Sequence, residues 1–268
     1  MNNSAIHTII ILAAGLGSRF EGSEHKYLVA LQYGEGSLKR LLRQLKAMSL
    51  KCHIVIVTGH QADSLINALS EDFSNLNFVD NSNFYNGSLL ESICVGLQTL
   101  TNEQGVWILF ADTIYHNAAL EYLLQAPTET ITIACAPIDA RQEDSIGISF
   151  RSDNSQLISI GPFIADMFDG IMIPAVFWPR SYWPTLINEA KKGIQSQWHV
   201  LQKVAIGHAK VVCLESDLVS DIDTRKDLML MRNNLIGDQV FQYFKKFLSK
   251  DERSRSQPDT IQKNCFIK

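Results

Sequence analysis

Gly15 and Gly17 stand just after an apolar run, Ile9-Ile10-Ile11-Leu12-Ala13-Ala14, and Arg19 and Lys26 follow shortly after them. Glycines carry no side chain, so the N–H groups of such a turn can close on an oxyanion and form an anion-binding nest. Leu12, Ala13, Ala14, Gly15, Leu16, Gly17 and Ser18 are therefore a candidate phosphate cradle, with Arg19 and Lys26 placed where a triphosphate would lie. Arginine grips phosphate oxygens through paired hydrogen bonds, and lysine supplies a point charge. A second group of candidates is acidic. Trp107-Ile108-Leu109-Phe110-Ala111-Asp112 reads as a buried strand that ends in a carboxylate. Open α/β sheets bind ligands beyond the carboxyl ends of their strands, where one or two carboxylates and substrate phosphates can hold Mg2+. Later in the chain, alternation places Asp221 and Asp223 on one side of an extended segment.

Three kinds of phosphate loop compete for the opening stretch. A Walker loop needs Gly, four residues, then Gly-Lys-Ser/Thr, and no such string occurs in the sequence. The dinucleotide fingerprint needs a third glycine where this chain has Phe20. Leu12-Ala13-Ala14-Gly15-Leu16-Gly17-Ser18-Arg19, followed by Lys26-Tyr27-Leu28, closely resembles the nucleotidyltransferase signature. Two further segments resemble that family in the same order. Asp112 is similar to its metal-binding aspartate, and Ile222-Asp223-Thr224-Arg225-Lys226-Asp227-Leu228 to its Ile-Asp-Thr-x-x-Asp-Leu signature.

The resemblance implies transfer of a nucleotidyl group from an NTP to a phosphorylated small molecule, with release of pyrophosphate. In that scheme the cradle holds the triphosphate, Arg19 and Lys26 are the catalytic cations, and Asp112 and Asp223 share Mg2+. The segment from Asn81 to Ile93 also resembles a family loop near the base and acceptor, and it nominates Asn81, Ser88 and Ser92 as nucleotide-binding. Ser88 and Leu89 stand where the family has asparagines, and a polar loop with Ser88 as a helix N-cap is the alternative reading.

The elements that must position these residues alternate. Strands are expected at Ile9–Leu12, Cys52–Gly59, Leu76–Val79, Trp107–Asp112 and Ile131–Ala136. Helices are expected from a capping Ser37 to Leu45, over Gln61–Leu69, from Ser88 to about Leu100, and over Asn117–Leu124. Ile146–Phe150 and Gln156–Ile160 read as an antiparallel hairpin, and Asp169–Pro174 as a further strand. A helix from Arg225 to about Asn233 and an amphipathic one over Asp238–Lys250 complete the pattern. The fold class is α/β: a doubly wound three-layer sandwich with a mostly parallel mixed sheet and a hairpin in its second half. One domain is expected over residues 1–250, with a nucleotide-binding half at about 1–125 and an acceptor-binding half at about 126–235. Residues 251–268 form a polar tail whose composition predicts disorder.

With 268 residues and 46% hydrophobic composition, the chain can bury a sizeable core. Its net charge of -4 argues against a general nucleic-acid or membrane-surface binder. Five cysteines are scattered without a Cys-x-x-Cys pair, which gives no zinc or dithiol motif and suits a reducing compartment. The N-terminus has no basic stretch before a long apolar run, so a cytoplasmic protein is expected. Phe177, Trp178, Tyr182, Trp183 and Trp198 read as core, with a cation-binding box for a quaternary ammonium as the alternative.

The substrates favoured by the resemblance are CTP and phosphocholine or an aminoalkylphosphonate. A sugar 1-phosphate and a molybdopterin acceptor are alternatives within the class, and a homodimer is possible. A nucleotide sensor of the same fold that has lost turnover is the alternative outside the class, and an NAD-dependent oxidoreductase is a third reading.

Overall fold

The structure is a computed structural model that describes residues 7–17, 26–29, 35–48, 51–74, 76–126, 129–138, 145–164, 166–215, 218–222 and 225–229. Ser18, Arg19, Asp223, Thr224, the expected 238–250 helix and the tail lie outside the described residues.

The first half alternates strand and helix: β1 (His7–Leu12), α1 (Ser37–Ala47), β2 (Cys52–Thr58), α2 (Ala62–Ser70), β3 (Asn77–Asp80), α3 (Leu89–Leu97) and β4 (Gly105–Phe110). Then come β5 (Thr113–Tyr115), α4 (Asn117–Leu124), β6 (Thr132–Ala136), β7 (Ile146–Phe150), β8 (Leu157–Pro162) and β9 (Gly170–Pro179). The series closes with α5 (Trp183–Lys191), α6 (Gln197–Val204), β10 (Lys210–Cys213) and β11 (Val219–Asp221). The main sheet runs β10-β6-β9-β4-β1-β2-β3, with the β7–β8 hairpin joined at β9, and β11 pairs separately with β5. β1 is parallel to both β2 and β4, β2 to β3, and β10 to β6, whereas β9 lies antiparallel between β4 and β6.

Alternation along β1 divides the core. Ile9 and Ile11 pack with Leu38, Leu41, Leu65 and Leu120 from α1, α2 and α4. Ile10 and Leu12 pack with Leu90, Ile93, Leu186 and Val200 from α3, α5 and α6 on the other face. Each such aliphatic side chain, fully withdrawn from water, contributes about 1.5–3 kcal/mol before the entropy of ordering is charged against it. Apolar residues run without interruption from Ile9 to Leu12 in β1 because helices cover both faces of the sheet.

Two expectations need correction, the capping role of Ser37 and the end of the strand at Pro174. Ser37 does not cap α1: Gly36 is the N-cap, and the buried Ser37 hydroxyl donates to the carbonyl of Ala111 at 2.6 Å. Between Asp112 and α4 the chain forms β5, and the His116 side chain caps that helix. The strand expected to stop at Pro174 continues to Pro179. Proline lacks an N–H, and the β6–β9 ladder accommodates it by slipping register between Ile133 and Cys135. The aromatic residues are core, as expected: Phe177 lies in the α1–α2–α4 layer, and Trp178 and Trp183 lie in the opposite one with Tyr182 and Trp198 packed against it.

Candidate nucleotide-binding site

β1 hands its chain directly into the cradle. Ala13 N–H donates to Val57 O at 2.9 Å and Ala111 N–H to Leu12 O at 3.0 Å, so the ends of β2 and β4 fix the turn on both sides. Gly17 has φ +63, a left-handed conformation that favours glycine. Gly59, after β2, packs beneath the turn. A Cβ there would stand 2.6 Å from Phe84 Cβ and 2.8 Å from the Ala14 carbonyl oxygen, so only glycine lets the three segments approach this closely.

Lys26 and Asp112 meet at the mouth of this turn. Lys26 Nζ lies 2.5 Å from Asp112 Oδ2, and the side chains are only 11% and 18% exposed. The lysine ammonium also sits 5.4 Å from the centre of the Tyr27 ring. Beside the pair opens a cavity of about 240 Å³, bounded by Ala14, Gly15, Lys26 and Asp112 on one side and by Phe84 and Ser92 on the other. Leu12 and Ser88 also line it. Ala13 is fully buried beneath, and Leu16 points outward at 39% exposure.

The loop between β3 and α3 forms the far wall. Asn81 is buried behind it and donates from Nδ2 to Ser92 Oγ at 2.9 Å, while its Oδ1 accepts from Asn83 N–H at 3.2 Å. Ser88 is the N-cap of α3, its hydroxyl accepting from Glu91 N–H at 3.1 Å. Asn81 thus shapes the wall through Ser92, and the capping role of Ser88 is borne out.

Behind Asp112 the chain is anchored by β11. Thr113 Oγ1 donates to Asp221 Oδ1 at 2.5 Å, and Ile222 N–H donates to Asp112 O at 3.0 Å. Asp221 is therefore bound to Thr113, and the backbone of Ile222 lies against Asp112. Tyr115 is fully enclosed, and burial followed by the charge of Asp221 pushes its phenol well above the usual range. Its hydroxyl stays protonated and donates to Pro174 O at 3.0 Å.

The donor chemistry suits a hard divalent cation. Asp112 presents a carboxylate at a cavity edge, held next to positive charge, and phosphate oxygens of a ligand would complete such a set. Among the described residues no group of three or more His, Cys, Asp or Glu side chains is placed to hold a metal unaided. Gly59, Tyr27 and Ser37 were not singled out from sequence as contributors. The glycine closing an apolar strand was the one visible signal, whereas the Ser37 contact depends on tertiary structure.

The family model of the MobA-like NTP transferase domain matches residues 9–209. The chain belongs to this nucleotidyltransferase family. The NTP transferase is similar in structure to the inositol-1-phosphate CTP transferase from T. maritima: TM-score 0.66, 18% identity, 86% of this chain and 96% of that one covered. It is also similar to the CTP:phosphocholine cytidylyltransferase LicC from Streptococcus pneumoniae: TM-score 0.63, 17% identity, 86% and 100% covered. Among curated proteins it is similar to a bifunctional IPC transferase and DIPP synthase from Rubrobacter xylanophilus, 24% identical over 233 residues. A second is the bifunctional protein GlmU from Sulfurimonas denitrificans, 36% identical over 79 residues. The matches span 51% and 17% of those relatives' lengths. No helix among the described residues is long and apolar enough to cross a membrane.

Proposed function

We propose that this NTP transferase moves CMP from CTP onto a phosphorylated small molecule and releases pyrophosphate. The observation that carries the reading is the meeting of Lys26 and Asp112 beside the glycine turn, at one end of a cavity walled by Phe84 and Ser92. CTP is favoured because the inositol-1-phosphate and phosphocholine enzymes of the same fold are both CTP-dependent by name. Acceptors consistent with the fold neighbours are phosphocholine, inositol 1-phosphate and related phosphorylated alcohols or aminoalkylphosphonates.

A phosphate acceptor is already ionised near neutral pH, so the reaction needs no side-chain base. The main barrier is bringing two anions together, and positioning with charge neutralisation lowers it. The backbone of residues 14–17 holds the triphosphate. Arg19 offsets charge building on the departing pyrophosphate, and Lys26 steadies the α-phosphate. Asp112 and Asp223 would hold Mg2+, which supplies Lewis-acid polarisation of a phosphoryl oxygen. Ser92, fixed by Asn81, and Ser88, through the α3 cap, shape the wall facing the base.

The test is pyrophosphate release with each NTP crossed with phosphocholine, phosphoethanolamine, 2-aminoethylphosphonate, inositol 1-phosphate, sugar 1-phosphates and molybdopterin. Release with CTP and one acceptor, lost in Asp112→Asn, is the expected result. CTP binding without release under any pairing points to a sensor, and no nucleotide binding overturns the proposal.

A further inference from the structure

Cys135 and Cys213 lie far apart in sequence but stand directly opposite each other in the parallel ladder of β6 and β10. Alternation sends both to one face of the sheet. Ile133 and Cys135 on β6 and Val211 on β10 belong to the layer beneath α3, α5 and α6, while Ala134 and Val212 face the other way. Adjacent strands are about 4.8 Å apart, within the Cα separation of roughly 4.4–6.8 Å that a disulfide spans. Both cysteines are free, and the register sets them side by side on the same face of the sheet. On the neighbouring strand β9, Gly170 leaves the Cys135 sulfur its room, since a Cβ there would lie 2.4 Å from it.

The two sulfurs are unequal. Cys135 is 2% exposed, whereas Cys213 is exposed to solvent. The contact between the thiols draws the pKa of Cys213 down and pushes that of Cys135 up, and burial raises Cys135 further. Thiol–disulfide exchange needs one accessible thiolate to attack and a second thiol close enough to resolve the product.

We propose that Cys135 and Cys213 are a redox-active dithiol that closes to an intramolecular disulfide. The Cys213 thiolate attacks one sulfur of a small disulfide such as glutathione disulfide. That S–S bond breaks, one glutathione leaves as its thiolate, and a mixed disulfide remains on Cys213. The Cys135 thiol then gives up its proton and attacks the Cys213 sulfur, expelling the second glutathione. The dithiol loses two electrons and glutathione disulfide is reduced to two thiols. The new bond ties the edge strand β10 to β6, just before the chain departs for Asp221.

The experiment uses the full chain carrying Cys265→Ser, treated under native conditions with glutathione disulfide and read by intact mass and peptide mapping. The expected product is two hydrogens lighter, with Cys135 and Cys213 in one cross-linked peptide that dithiothreitol reopens. In the same background Cys135→Ala should halt at a stable glutathione adduct on Cys213, and the surface variant Cys213→Ser should give neither product. A persistent adduct on Cys213 when Cys135 is present overturns the proposal, as does an unreactive Cys213 or a cross-link between other cysteines. None of these readouts depends on nucleotidyl transfer, so the outcome stands apart from that activity.

Discussion

The amide of Ile222 donates to the carbonyl of Asp112 at 3.0 Å, so the chain just after β11 is stitched to the chain two residues beyond β4. Asp112 and Asp221, far apart in sequence, thereby lie on adjoining backbone. Replacing Asp112 by Asn keeps the shape and removes the charge that pairs with Lys26. Turnover should fall about a hundred- to a thousandfold, or about 2.7–4 kcal/mol in the barrier. Pyrophosphate release measures the fall, and turnover at the wild-type rate would falsify the role of Asp112.

Asn81 acts from behind the cavity wall. Asn81→Ala removes its bond to Ser92 Oγ and leaves the Asn83 amide without its side-chain partner. A loss of about 1–3 kcal/mol in stability is expected from the broken buried contacts, accompanied by a rise in KM for the nucleotide. Urea denaturation and steady-state kinetics separate the two effects, and unchanged values in both would remove Asn81 from the site.

Gly59→Ala should be costly for so small a change. The added methyl would press on Phe84 and on the Ala14 carbonyl, neither of which is the loose end of a long side chain. Overpacking of this kind costs about 1–3 kcal/mol, and the displacement should weaken NTP binding by calorimetry. A variant that binds as tightly as wild type would mean the turn has slack.

Glu189 joins α5 to α6, accepting from Lys192 at 2.8 Å and from Lys203. Its pKa is depressed, first through the Lys192 bond and then through Lys203. A depressed carboxyl pKa contributes stability that is complete above the unfolded value of 4.5 and is lost as pH falls through the folded one. Glu189→Gln should therefore lower Tm at neutral pH but flatten its decline below about pH 5. Parallel acid limbs in melting curves of the two proteins would contradict the assignment.

Much of the first half was legible because local signals agreed there. The apolar run of β1 meets a glycine turn, and amphipathic leucines in α1 supply one covering layer. β5 and β10 were missed because Thr113–Tyr115 and Lys210–Cys213 are too short to show periodicity and become strands only by pairing with distant partners. Ser37 misled for a related reason: its side chain chose a buried carbonyl across the fold over its own helix end. The cysteines looked unpatterned because register, not spacing, brings two of them together. Lys26 and Asp112 were both nominated from sequence, but their direct pairing was not foreseeable from positions 86 residues apart.

The reversed strand β9 acts as a fixed gauge. It separates β4 from β6, whose carboxyl ends share one edge of the sheet, by two interstrand spacings, or about 10 Å. Whatever follows β6 is therefore offset from Asp112 by a distance that loop sequence does not alter.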